Sequence, residues 1–120
     1  MPLAELAIHL VDTDDRVRWW YIARCIGNYW REPVDVRGEL LTGRPPLTGD
    51  PRWDVFVAAL ADLLASNDGR RCPVWAEQAS LPEPWWVFDT PDGRNAAEKY
   101  TPEQFRRRGV MVSGEEFDVA

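Results

Sequence analysis

Arg16, Trp20 and Arg24 lie four residues apart, so on a helix both guanidinium groups come within reach of the indole ring. A second basic cluster, Arg106-Arg107-Arg108, is the densest in the chain. Guanidinium groups stay charged and meet carboxylate or phosphate oxygens in a planar, two-pronged geometry. Their chemistry is therefore recognition rather than proton transfer. Trp20 has two readings: a surface ring shielded by arginine stems or covered by the N-terminal segment, or an anchor on a partner protein, because Trp and Arg dominate binding hot spots. The arginine triplet also has two. It closes a helix, where positive charge is favourable against the dipole, or it forms a basic patch toward protein or nucleic acid. Three consecutive arginines on one helical turn point three ways, so they cannot all meet one surface.

Groups able to do covalent or acid–base work are sparse. His9 is the only histidine and sits in an apolar stretch without an acidic or cysteine partner at metal-binding spacing. A Ser-His-Asp or Cys-His arrangement would have to be built around it, and nothing nearby supports one. Cys25 and Cys72 are far apart, and neither belongs to a CxxC pair. Asp12, Asp14 and Asp15 resemble half a cation site, yet they stand at a helix start, where acidic residues are favoured anyway. The loop Thr42–Gly49 lacks the spacing of a phosphate-binding loop, and no strand precedes it. Glu115, Glu116 and Asp118 read as a solvated acidic tail. No catalytic residue, metal ligand or cofactor is expected.

Composition narrows the classes further. A chain of 120 residues makes one domain, here 1–120, with 45% hydrophobic residues to build a core. Fourteen basic against twenty acidic residues leave a net charge of −6. That balance argues against binding a phosphate backbone, and it suits a basic protein partner. Lys99 is the one lysine; every other basic side chain is arginine, a residue favoured at interfaces. Seven tryptophans are read mainly as core, with one or two left for an interface. Without a signal peptide or an apolar run near 18 residues, the expectation is a cytoplasmic protein with reduced thiols.

The elements that must position these side chains can be read in turn. The clearest is the helix from Pro51 to Ala65. Asp50 caps it, Pro51 takes its first position, and Trp53, Phe56, Val57, Leu60, Leu63 and Leu64 share one face. Arg52, Asp54, Val55, Ala58 and Asp62 fall on the other. Before it come a short apolar helix over Pro2–Leu10, a longer one from a Thr13 or Asp14 cap to about Trp30, and a third from Pro33 through Leu41. Beyond it, Trp75–Ser80 is partly helical, and Trp85–Phe88 is too short to assign from periodicity. Thr90-Pro91-Asp92-Gly93 reads as a turn and Asn95–Tyr100 as a short helix. Thr101-Pro102-Glu103-Gln104 matches a capping box for a brief helix closed by Gly109. Val110-Met111-Val112 follows as a short strand or docked tail, and Ser113–Glu116 caps a last turn carrying Phe117.

Pro45-Pro46-Leu47-Thr48-Gly49-Asp50-Pro51-Arg52-Trp53-Asp54, then Ala58-Ala59-Leu60-Ala61, Pro73-Val74-Trp75, Trp85-Trp86 and Phe105-Arg106-Arg107-Arg108-Gly109-Val110 occur in this order. Together they resemble a small actinobacterial helical family, over roughly residues 30–118. The resemblance implies an antitoxin-like partner of nucleotidyltransferase-type toxins, without catalytic residues. Longer members resemble this pattern with a helix-turn-helix DNA-binding domain ahead of it. Too few residues precede the shared region here for such a domain, which puts operator binding in doubt.

The sequence therefore predicts a single, mainly α-helical domain of four to six helices with long loops and at most a small C-terminal strand pairing. Its expected role is to bind and restrain a cognate protein, a toxin, with an acidic surface covering a basic, nucleotide- or RNA-handling site. Arg16, Trp20, Arg24, Arg106, Arg107 and Arg108 are the expected contacts. The alternative is a nucleic-acid-binding or transcription accessory role for Arg106–Arg108.

Overall fold

The computed structural model describes residues 3–11 and 13–117; Pro2, Asp12 and Asp118 lie outside them. Among the described residues the chain forms α1 (Leu3–His9), α2 (Asp15–Arg31), α3 (Val34–Thr42), α4 (Pro51–Asn67), β1 (Trp85–Trp86), α5 (Pro91–Tyr100), α6 (Glu103–Arg106) and β2 (Val110–Met111). Short 3₁₀ turns at Val74–Ala76 and Gly114–Phe117 complete it. This is the mainly α domain read from the sequence, with the small strand pairing where it was expected.

Helix α4 is the axis of the core. Asp50 accepts a hydrogen bond from the Arg52 N–H at 2.9 Å, and Pro51 has no N–H to leave unpaired. Of the face opposite Phe56 and Leu60, Arg52 is exposed and Asp54 half-buried, but the rest is closed over. Val55, Ala58, Ala61, Asp62 and Ala65 are as buried as Phe56 and Leu60. The reason is that α4 is covered from both sides: α1 and α3 pack on it, and so do α6, β2 and the Val74–Ala76 turn. Its alanines let those neighbours close in without leaving voids.

Helix α2 lies outside α4 and begins at Asp14, whose carboxylate accepts from the Val17 N–H at 3.0 Å. Ile22, Cys25, Ile26 and Tyr29 face the core. Arg18, on the inward side, donates from Nε to the Leu10 carbonyl at 2.6 Å and from Nη2 to the Thr13 carbonyl at 3.1 Å. Its guanidinium also lies 4.6 Å from the centre of the Trp53 ring. One side chain thus fastens the α1–α2 connection to α4.

The C-terminal third differs from the sequence expectation in two places. Thr90-Pro91-Asp92-Gly93 is the first turn of α5, not a free turn, because the Thr90 hydroxyl accepts from the Gly93 N–H at 3.0 Å. Turn formers and helix-start residues are the same residue types, so composition does not separate them. Thr101 does not cap the following helix. Its hydroxyl donates back to the Ala97 carbonyl at 2.5 Å, closing α5, and Pro102 precedes α6 without a side-chain cap. The undecided Trp85–Phe88 run supplies β1, parallel to β2, with Trp85 opposite Val110 and Trp86 opposite Met111. The chain reaches β2 through Gly109, whose φ of 83° lies in the region that favours glycine.

Candidate functional site

Helix α2 turns Trp20 outward. The ring is 54% exposed, the greatest exposure of any aromatic side chain that projects from this helix. It is not loosely held: the Arg24 guanidinium lies 5.2 Å from its centroid, and Tyr21 meets it edge-on at 5.1 Å. Tyr21 in turn stacks flat on His9 at 4.3 Å. His9 is thereby a structural ring joining α1 to α2, as its isolation in the sequence suggested. Arg16 is exposed on the same face. Only Arg24 of the two flanking arginines lies over the ring among the described contacts, so the expected double stack is a single one. Trp30, which the sequence did not single out, is also exposed at the far end of α2, with the Arg37 guanidinium 5.1 Å from its centroid. Arg37 lies on α3, and no spacing rule within α2 could have revealed that pair.

The arginine triplet behaves differently, and here the sequence expectation is corrected. Arg108 is 2% exposed. Its Nη1 donates to the Asp62 carboxylate and to the Gln104 carbonyl, each at 2.7 Å, and its Nη2 donates to the Ala76 carbonyl at 2.9 Å. It is unavailable to any partner. Arg107 also pairs with Asp62 while keeping about half its side chain in solvent. Arg106 donates from Nη2 to the Glu98 and Ala97 carbonyls at 2.8 and 3.3 Å, satisfying the open end of α5. The three point three ways, as helical geometry requires: Arg108 is spent within the fold, while Arg106 and Arg107 bond internally yet remain exposed. Asp62, set by periodicity on the face of α4 opposite Phe56 and Leu60, is the buried group that draws two of them in.

A second polar junction lies where the end of α4 meets α2 and α3. The Tyr29 hydroxyl donates to Asp68 at 2.9 Å, and Arg70 Nε donates to the same oxygen at 3.0 Å. Arg37 Nε stands 3.6 Å from it. The Arg70 hydrogen bond leads in holding the Asp68 carboxyl below the usual carboxylate range. Burial, then the bond to Asp68, pushes the Tyr29 hydroxyl up to about 12. Burial raises the Cys25 thiol to about 11 and also raises Cys72, which disfavours the reactive thiolate at both.

Pro45, Pro46, Leu47, Pro51 and Asp54 line a surface groove of about 320 Å³ with Val55, Ala58 and Trp75. Two of its polar groups are engaged in the fold. Asp54 accepts from the Thr48 N–H at 2.6 Å and hydroxyl at 2.7 Å, and the Trp75 indole donates to the Leu41 carbonyl at 2.9 Å. Thr48, Asp50, Pro51 and Asp54 thus cap and brace α4. Among the described residues no three His, Cys, Asp or Glu side chains gather to hold a metal ion, and no helix is long and apolar enough to cross a membrane. Comparison with family models, curated proteins and solved structures finds no match to the chain.

Proposed function

We propose that this chain is a non-catalytic protein-binding module, antitoxin-like, that neutralises a cognate cytoplasmic toxin by direct contact through the outer face of α2. The observation that carries the reading is Trp20: a large ring held in solvent by Arg24 and Tyr21 on a helix anchored to the core. Exposing a braced indole is unfavourable in water and favourable once a partner covers it. Bracing also removes part of the ordering entropy that docking would otherwise cost. Arg16, Trp20 and Arg24 are the contacts, and Arg106–Arg108 are structural. A nucleotidyltransferase-type toxin is the partner class that the sequence resemblance brings.

The test is co-expression with the product of the adjacent reading frame. One complex on purification, with growth rescued, is the expected result. W20A combined with R24A abolishes both while far-ultraviolet circular dichroism stays unchanged. Recovery of the wild-type chain alone, with no rescue, overturns the proposal.

A further inference from the structure

Plotted at 100° per residue, Arg16, Trp20, Arg24, Gly27 and Arg31 fall within a stripe about 80° wide and about 22 Å long on α2. The four side chains in the stripe are exposed. Arg18, Arg37, Arg70, Arg94, Arg107 and Arg108 each pair with an aspartate. Among the described residues, Arg16, Arg24 and Arg31 form no ion pair; Arg31 only donates to the Asn28 side chain at 3.0 Å. Arg44, Arg52, Arg71 and Arg106 also lack an ion pair among the described residues, but they lie on separate elements, whereas α2 holds three such cations in line in a chain of net charge −6.

Gly27 is the second, independent observation. Glycine weakens a helix interior relative to alanine, so it needs a reason there. The fold supplies none: a Cβ at Gly27 would meet only Arg31 Nη2, at 3.9 Å, an ordinary contact. The missing side chain leaves room for the Arg31 guanidinium, whose Nη2 lies over Gly27; once Arg31 turns outward to a partner's carboxylate, a notch opens there beside Trp20 and Arg24. Such a notch lets a second helix approach closer than the usual interaxial distance of about 8–10 Å.

We infer that the α2 stripe seats an acidic helix of a partner protein, its backbone crossing at Gly27 and its carboxylates meeting Arg16, Arg24 and Arg31. This rests on the reading of the chain as a protein-binding module and reverses the charge the composition suggested for the partner's contact patch: acidic, not basic. Carboxylates at i, i+8 and i+15 on an incoming helix running along the stripe match the arginine spacing. A continuous phosphate backbone matches it poorly, because it would carry its charge past exposed Asp14, Asp15 and Glu32 beyond the two ends of the stripe, whereas a helix can present neutral side chains there.

The probe is an alanine-rich helical peptide of about 20 residues with glutamates at that spacing, set against its glutamine counterpart and against oligouridylate. Binding is followed by the Trp20 indole and Gly27 amide signals in two-dimensional NMR, with W20F assigning the indole. The glutamate peptide is expected to shift both signals saturably and the glutamine peptide not to. R24Q is expected to weaken binding about fivefold. G27L is expected to raise Tm by about 3 °C while abolishing binding. Equal affinity for both peptides, preference for oligouridylate, a G27L variant that still binds, or one that loses stability would each overturn the inference. A co-expressed complex indifferent to R24Q and G27L removes the acidic helix but keeps the protein-binding reading. Peptide binding without any co-expressed complex removes that reading and keeps the surface.

Discussion

Arg108 shows how far one side chain can depart from its apparent role. In the sequence it is the last of three cations at a helix end, where solvent is the ordinary surrounding. In the fold it joins the carboxylate of Asp62 on α4 to carbonyls of α6 and of the Val74–Ala76 turn. A guanidinium can do this because its donors fan out in a plane, whereas the ammonium of a lysine is a single point. Breaking a buried pair from one side strands the other charge, at about 3–5 kcal/mol. R108A is therefore expected to lower the denaturant-derived stability by about that amount. R108M combined with D62L, which removes both charges at similar volume, should recover most of the loss. If the double variant is no more stable than the single one, the ion pair is not the origin of the effect. Trp20 and Arg24 are the opposite case. Their spacing was enough to predict a shared face and a ring–guanidinium contact, because both partners lie on one helix. Asp62–Arg108 and Trp30–Arg37 were hidden because their partners are brought together only by tertiary packing.

Elements were legible in proportion to how local their causes are. Asp14 caps α2 and Asp50 caps α4 within two or three residues of themselves, and both helix starts follow directly from the chain. What covers α4 on its second side is set by the Val74–Ala76 turn and by α6 and β2, the last two more than thirty residues beyond its end. Periodicity does not say whether the alanine-rich face of α4 is covered, because small residues fit either setting. The junction of α2, α3 and α4 at Asp68 carries a prediction of this scale. Asp68 titrates lower in the folded chain than in an unfolded one, so its contribution to stability is present above pH 3.8 and is lost as acidification carries it through its folded value. Tyr29 is raised from 10.0 to about 12, so its contribution is present below pH 10 and is lost as pH rises toward 12. Thermal melts across pH should show both an acid and an alkaline limb. D68N is expected to flatten both, because it removes the acidic titration and the carboxylate that Tyr29 holds. Y29F should flatten chiefly the alkaline limb. An alkaline limb unchanged in Y29F would place its origin elsewhere.

At the scale of the molecule, the question is whether the N-terminal helices and the C-terminal strand–helix segment form one cooperative unit. The parallel pairing of β1 with β2 encloses α5 and α6 between its strands, so the last third of the chain must close on itself before β2 can pair. What fastens that closed segment to the rest is an aromatic cluster. Phe117 stacks on Phe105 at 4.8 Å and lies 6.0 Å from Phe56 on α4 and 6.1 Å from Trp19 on α2. Four rings from four separated segments thus meet in the same core, and none of them is legible as a partner of another from spacing. Such a cluster forms late in folding and all together, because each ring's burial needs the other three in place. It follows that the chain should unfold in a single step, with tryptophan fluorescence and far-ultraviolet circular dichroism giving coincident transitions. F117A removes the ring that touches both halves and is expected to cost about 3–5 kcal/mol. Its effect should appear as one shifted transition, not as early loss of the C-terminal segment. Two separated transitions in F117A would mean that α1–α4 and the strand–helix segment are independent units held together by that ring alone. The outer face of α2 would then stand on a smaller body than the one described.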